Sequence, residues 1–428
     1  YVQNRYRFAD DRFCNIYINR LGKRLAAAFP NQVFDFRFFI IQDDTYNAFA
    51  APAGYVFVNT GLINAMTSED ELAGIMAHEI AHVYCRHISK KIEQSKKIGL
   101  ATLAGMAAGV LLGAGGVIPG DAVAIGSAAA GQAASLAYSR EDERQADQIG
   151  VTYLCRAGYS PAGLLSMLKK IKSKEWFSKK DFPTYLSTHP GTDERIMYID
   201  SIMSSHAVGP CKKRGRHSGS DAFPVFLARI KALYTDEDSA LSHFSAGVKQ
   251  NPGSMIDRYG YGLVLCRKNR TAEAIDQFRK ILDTEPFNIH ALMALGETYY
   301  LAGNYKKAMA ILQNVSPGGF YSTKRNFLLA MAADRLGMKK KALVLFRQVV
   351  RDSPGDLPAI YGLGKTSGEV GNLEDAHFYL GIYYSRRGDI KNALFHLQKA
   401  LELAKEDKRK DRINSIMSEL ESRRKKQH

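Results

Sequence analysis

The chain has 428 residues, 46% hydrophobic and 24% charged, which excludes a disordered polymer and leaves room for two or three packed domains. Its net charge of +16 comes from scattered Lys and Arg and a tail ending Arg423-Arg424-Lys425-Lys426, and reads as a solvated surface rather than a nucleic-acid footprint. The five cysteines (Cys14, Cys85, Cys155, Cys211, Cys266) form no CxxC pair, which argues against a cysteine zinc site and leaves at least one thiol unpaired.

The opening residues Tyr1-Val2-Gln3-Asn4 show neither the basic start nor the apolar core of a secretion leader, and a mature exported chain would look the same. Phe13, Ile16, Tyr17, Leu21 and Leu25 keep a helical period and predict a helix over residues 8–29. Phe34-Asp35-Phe36-Arg37-Phe38 alternates as a strand does. Asn47–Ala50 and Tyr55–Val58 flank Pro52-Ala53-Gly54 and predict two more strands around a turn. Ser68 followed by Glu71 has capping-box spacing, so a helix begins there and runs through His82. Strands with flanking helices, lacking a regular βαβ alternation, indicate an α+β domain.

Two uncharged stretches follow, 98–118 and 122–138, around Pro119-Gly120-Asp121. The first is long enough for a membrane span, and Gly105, Gly109 and Gly113 would allow close helix contact in a bilayer. Yet Gly and Ala supply over half of it, and the second stretch is short. Residues 98–138 therefore read as a helical hairpin, buried or touching a membrane surface, in preference to a spanning pair. Polar, basic residues then mark a linker at 207–221 between an N-terminal domain (1–206) and a C-terminal one (222–428).

The C-terminal domain repeats. Ala240, Ala274, Ala308, Ala342 and Ala376 recur every 34 residues. A large apolar residue stands four positions after each (Phe244, Phe278, Leu312, Phe346, Leu380), and a small one twelve before (Ala228, Gly262, Gly296, Ala330, Gly364). This is the tetratricopeptide pattern, an all-α solenoid. Ala393 falls 17 residues after Ala376, half a repeat, and Ile413, Met417 and Leu420 predict a terminal capping helix.

In the N-terminal domain, His78-Glu79-Ile80-Ala81-His82 places two imidazoles one helical turn apart, with Glu79 beside them to reach a metal-bound water. Catalytic zinc takes a third protein ligand. Glu143 fits, because Asp147 one turn on can accept the N–H of a ligating imidazole and fix its tautomer. Glu141 is the rival and lacks an acid four residues on; His87 and Cys85 read as structural residues of the same helix.

HExxH, the ExxxD motif led by Tyr138-Ser139-Arg140, Thr188-His189-Pro190 followed by Arg195, and the strand pair within 47–62 resemble the gluzincin metallopeptidase family of the CAAX-prenyl endopeptidase and the HtpX heat-shock protease. Within it, the order of domains is similar to that of a periplasmic branch ending in tetratricopeptide repeats. The resemblance implies a zincin-type α+β domain followed by an all-α solenoid. It implies one Zn2+ per chain on His78, His82 and Glu143, with Glu79 as general base, His189 capping the zinc at rest, and Arg195 as an active-site arginine. The expected activity is that of a zinc endopeptidase of the bacterial envelope acting on misassembled membrane proteins. Its repeats would hold protein clients or a protein assembly complex. The alternatives are a chaperone-like assembly factor with a self-inhibited zinc site and an integral membrane peptidase. An extended substrate is expected along a strand near Tyr55–Asn59.

Overall fold

The structure, a computed structural model, describes residues 6–31, 33–90, 93, 138–177, 184–204 and 222–425. The stretch 98–137 and the linker 207–221 lie outside these residues. The chain divides into two compact units, Tyr1–Ser239 and Ala240–His428. Among the described residues no helix is long and apolar enough to cross a membrane.

In the first unit, α1 (Arg12–Ala26) is shorter than its periodicity predicts. Asp11 caps it by accepting from the Cys14 N–H, and Phe8 bridges to Ile41 instead of joining the helix. The strands are β1 (Arg37–Ile41), β2 (Ala48–Ala51) and β3 (Tyr55–Asn59). β1 begins only at Arg37, after most of the alternating segment, because it pairs in parallel with β3 and β3 has no extended residue before Tyr55. Pro52–Gly54 forms a short 3-10 turn there. The sheet order is β1-β3-β2, with β2 antiparallel to β3. β3 is therefore the central strand. The expectation that substrate lies along Tyr55–Asn59 fails, since both edges of that strand are already paired.

After α2 (Thr60–Asn64) comes α3 (Glu69–Tyr84), whose residues are almost all buried. It packs against α1, β2, α4 (Arg140–Arg156) and α5 (Ala162–Phe177). The short α6 (Thr184–Thr188) and then α7 (Thr192–Ser204) complete the surroundings of α3. The next helix, α8 (Ala222–Tyr234), carries the first small residue of the repeat pattern, Ala228, yet packs on α1 and α2. Tyr17 and Phe226 stack at 4.5 Å, and the Arg229 Nε–H donates to buried Asp11 at 2.9 Å. Asp11 thus caps α1 and anchors α8 at once.

The second unit is a ladder of helix pairs. After α9 (Glu237–Gln250) come α10 (Met255–Arg267) with α11 (Thr271–Thr284), α12 (Ile289–Leu301) with α13 (Tyr305–Gln313), and α14 (Ser322–Arg335) with α15 (Lys339–Asp352). Then follow α16 (Leu357–Glu369), α17 (Leu373–Arg386), α18 (Ile390–Leu403) and α19 (Asp407–Lys425). The repeat pattern is a packing rule: a Cβ added at Gly262 would sit 2.5 Å from the Phe278 ring, so only glycine lets the first helix of the pair meet the large residue of the second. Gly381 meets Leu397 in the same way, at 2.7 Å. Hence α17 closes one repeat and serves as the first helix of the next, which accounts for the half-repeat offset of Ala393.

Candidate metal centre

Two helix caps and one close crossing assemble the site. Ser68 caps α3 by accepting from the Glu71 N–H. The carboxylate of Glu71 completes no box; it accepts from the Thr67 N–H at 2.6 Å and pairs with Lys170 at 2.7 Å, tying α3 to α5. Helix α4 starts in a full capping box between Ser139 and Asp142. Along α4, Glu143, Asp147 and Gly150 share a face. A Cβ at Gly150 would lie 3.3 Å from the Ala77 carbonyl and the His78 Cα, so the two helices cross closely enough for both carboxylates to reach the histidines.

His78, His82, Glu143 and His189 each present one donor atom within 4.8 Å of the others, and all four are buried. The Nε2 atoms of His78 and His82 are 3.0 Å apart, Glu143 stands 3.3 Å from each, and His189 Nδ1 is 3.4 Å from His78 Nε2 and 3.0 Å from Glu143 Oε1. Zinc with ligands at about 2.1 Å needs donors about 3.4 Å apart in a tetrahedral shell. The donor set and its spacing fit that ion. Glu79 is fully buried, neither carboxylate oxygen has a hydrogen-bond partner, and His189 Nε2 is 3.6 Å from its Oε1. A buried carboxylate without a partner is costly, and here it faces the cluster. Glu141 is exposed and pairs with Arg144, outside the site.

Asp147 holds His78 from behind, 2.9 Å from Nδ1, as the tautomer argument requires. The guanidinium of Arg195, on α7, donates from Nε and Nη2 to Asp147 at 2.7 and 2.8 Å. Its Nη1 lies 2.8 Å from Glu143 Oε2, an ion pair by distance that is too oblique for a hydrogen bond. Arg195 is therefore engaged by the two carboxylates. Burial pushes the Glu79 carboxyl pKa up, against the pull of His189 and His78. Burial acts upward on Glu143 too, yet His189 and Arg195 hold it well below the usual carboxylate range. For His78, burial and Arg195 act downward, and the carboxylates of Asp147 and Glu143 outweigh them, raising it to about 9. A cation entering this cluster displaces a proton.

Three further residues, His87, Tyr138 and Tyr185, shape the site. The helix bearing the two histidines ends at Tyr84, and Arg86 adopts a left-handed conformation (φ 58°). His87 consequently turns back, its Nδ1 3.0 Å from His82 Nδ1 and its Nε2 2.8 Å from Gln145 Oε1. It is not a residue of the same helix; it backs His82 much as Asp147 backs His78. Tyr138 stacks on His82 at 3.9 Å and Tyr185 on His189 at 4.3 Å, walling the donors from water. The ExxxD motif leads directly from Tyr138, a hint available in the sequence; Tyr185 had none.

Residues 15–203 match the profile of peptidase family M48. Residues 236–289, 265–318, 326–356 and 374–407 match tetratricopeptide-repeat profiles. The chain is similar to the beta-barrel assembly-enhancing protease of Yersinia pestis, with 28% identity over 305 residues, 70% of this chain and 60% of the relative. The protein of that name from Escherichia coli K12 is 26% identical over 292 residues, 65% of this chain and 56% of its own length. Mitochondrial metalloendopeptidase OMA1 of Schizosaccharomyces pombe is 28% identical over 193 residues, 43% of this chain and 52% of that protein. The chain thus spans 56–60% of the length of these bacterial relatives.

Proposed function

Because the chain carries a peptidase family M48 domain followed by tetratricopeptide repeats, we propose that it is a zinc endopeptidase of the bacterial envelope. Its substrates on this reading are misassembled membrane proteins in the periplasm, and its repeats hold client or assembly partner. The observation that carries the reading is the convergence of four buried donor atoms beside the Glu79 carboxylate, whose oxygens have no hydrogen-bond partner. His78, His82 and Glu143 hold the ion, and Asp147 and Arg195 keep His78 and Glu143 in place. Zinc bound there supplies Lewis-acid polarisation of the scissile carbonyl and lowers the pKa of the attacking water. Glu79 takes the proton of that water and delivers it to the leaving amine.

Substrate enters extended beside β2, the edge strand that packs on α3, and pairs through its backbone. His189 stands in the donor cluster, where it excludes substrate until it moves. Its neighbour Gly191 (φ 81°) and the break between α6 and α7 give the backbone a place to swing. The resting enzyme is accordingly closed, which favours regulated proteolysis over constant turnover. Replacing Glu79 by Gln tests the reading. Zinc content and helicity are expected to remain, while cleavage of an unfolded outer-membrane protein falls by a factor of about 100 or more. Cleavage at the wild-type rate would refute it.

A further inference from the structure

The second unit contains a groove of about 550 Å³ walled by α15, α17 and α19. We infer that it binds an extended, acidic and apolar peptide segment of a partner protein. This rests on the repeats being partner-binding elements and adds the chemistry of one partner segment.

The groove arises from the half-repeat offset. Because α17 acts as the first helix of the last pair, α19 folds back over it, and Ile413 and Leu420 join Phe378 in the terminal core. The walls are the second helices of two successive repeats, α15 and α17, with α19 as the third side. Val344, Tyr379 and Ile382 give it an accessible apolar floor over the buried Ile360 and Phe378. Arg347, Arg351, Arg386 and Arg412 surround it, and among the described residues no acidic one lines it.

Little nearby neutralises these arginines. Asp375 is shared between Arg347, at 2.7 Å, and Arg409. Arg351 pairs with its neighbour Asp352, at 3.2 Å on the exposed surface, where an ion pair contributes little. Arg386 donates to the Pro354 carbonyl. The Arg412 guanidinium lies 5.4 Å from the Phe378 ring centroid and has no carboxylate within ion-pair distance among the described residues. Guanidinium forks match carboxylates, and the apolar floor between them suits the side chains that alternate with acids in an extended peptide. A single-stranded nucleic acid would use an open aromatic face for its bases. Arg409 (4.1 Å) and Arg412 cover Phe378 instead. A bilayer would need a flat or protruding apolar face, and this one is recessed.

Fluorescence anisotropy on the full chain tests the inference. The probe is a labelled decapeptide alternating Glu with Leu, and its control replaces each Glu by Lys. The acidic peptide is expected to bind and the basic one not. Arg351→Glu combined with Arg412→Glu is expected to weaken binding at least about tenfold, with circular dichroism unchanged because both side chains are exposed. If that pair fails to fold, Arg351→Gln with Arg412→Gln serves, with a smaller loss in the same direction. Equal affinity for the two peptides overturns the inference. So does tighter, equally Arg-dependent binding of a single-stranded oligonucleotide or of phosphatidylglycerol vesicles. Acidic-peptide affinity that survives both substitutions overturns the groove while leaving the repeats as partner-binding elements.

Discussion

His78 is gripped from two sides. Asp147 fixes its Nδ1, and its Nε2 is turned toward His82, Glu143 and His189. His82 is backed by another imidazole, that of His87. The asymmetry was only half legible in the sequence. Glu143 and Asp147 announce themselves as an i, i+4 pair, whereas His87 depends on a helix break at Arg86 that no periodicity encodes. His189 lacks a helical partner altogether, and only the resemblance to a known family pointed to it. Its dominant role is open to a direct test of sign. His189→Ala is expected to leave zinc bound, since His78, His82 and Glu143 remain, and to raise basal cleavage of an unfolded outer-membrane protein several-fold. A fall in turnover at full zinc occupancy would mean that His189 assists the reaction instead of blocking it.

At the scale of elements, the cap at Ser68 and the apolar run after it encode the helix carrying HExxH, and it forms at Glu69–Tyr84. The strand order was not legible. Local alternation does not report which strand lies in the middle, and the β1-β3-β2 order moves the open edge from β3 to β2. The position of α8 was also hidden, because its Ala228 obeys the repeat spacing while its Phe226 and Arg229 bind α1. Arg229 and Asp11 are both nearly buried. Arg229→Ala would strand a buried carboxylate, and is expected to destabilise the first unit by about 3 kcal/mol, read as a lower midpoint in its urea unfolding. An unchanged midpoint would mean that α8 contributes nothing to that unit.

For the whole molecule, the 34-residue period made the repeat architecture the most legible feature, because each repeat applies the same small-to-large contact to its neighbour. Stability of this kind is local and separable. Residues 237–428 are expected to fold alone with the helical circular dichroism of a solenoid and to capture partners without the peptidase domain. A soluble fragment lacking helical signal would contradict this. The first unit, by contrast, is expected to need residues through α8. This domain is expected to hold one zinc ion on His78, His82 and Glu143, capped at rest by His189. Zinc-edge X-ray absorption on the purified full chain reads that most directly. The expected spectrum shows near-stoichiometric zinc with nitrogen and oxygen ligands at about 2.0–2.1 Å, three imidazoles in the wild type, two in His189→Ala, and little zinc in His82→Ala. Sulfur ligation, or a spectrum and zinc content unaltered in His82→Ala, would contradict that ligand set.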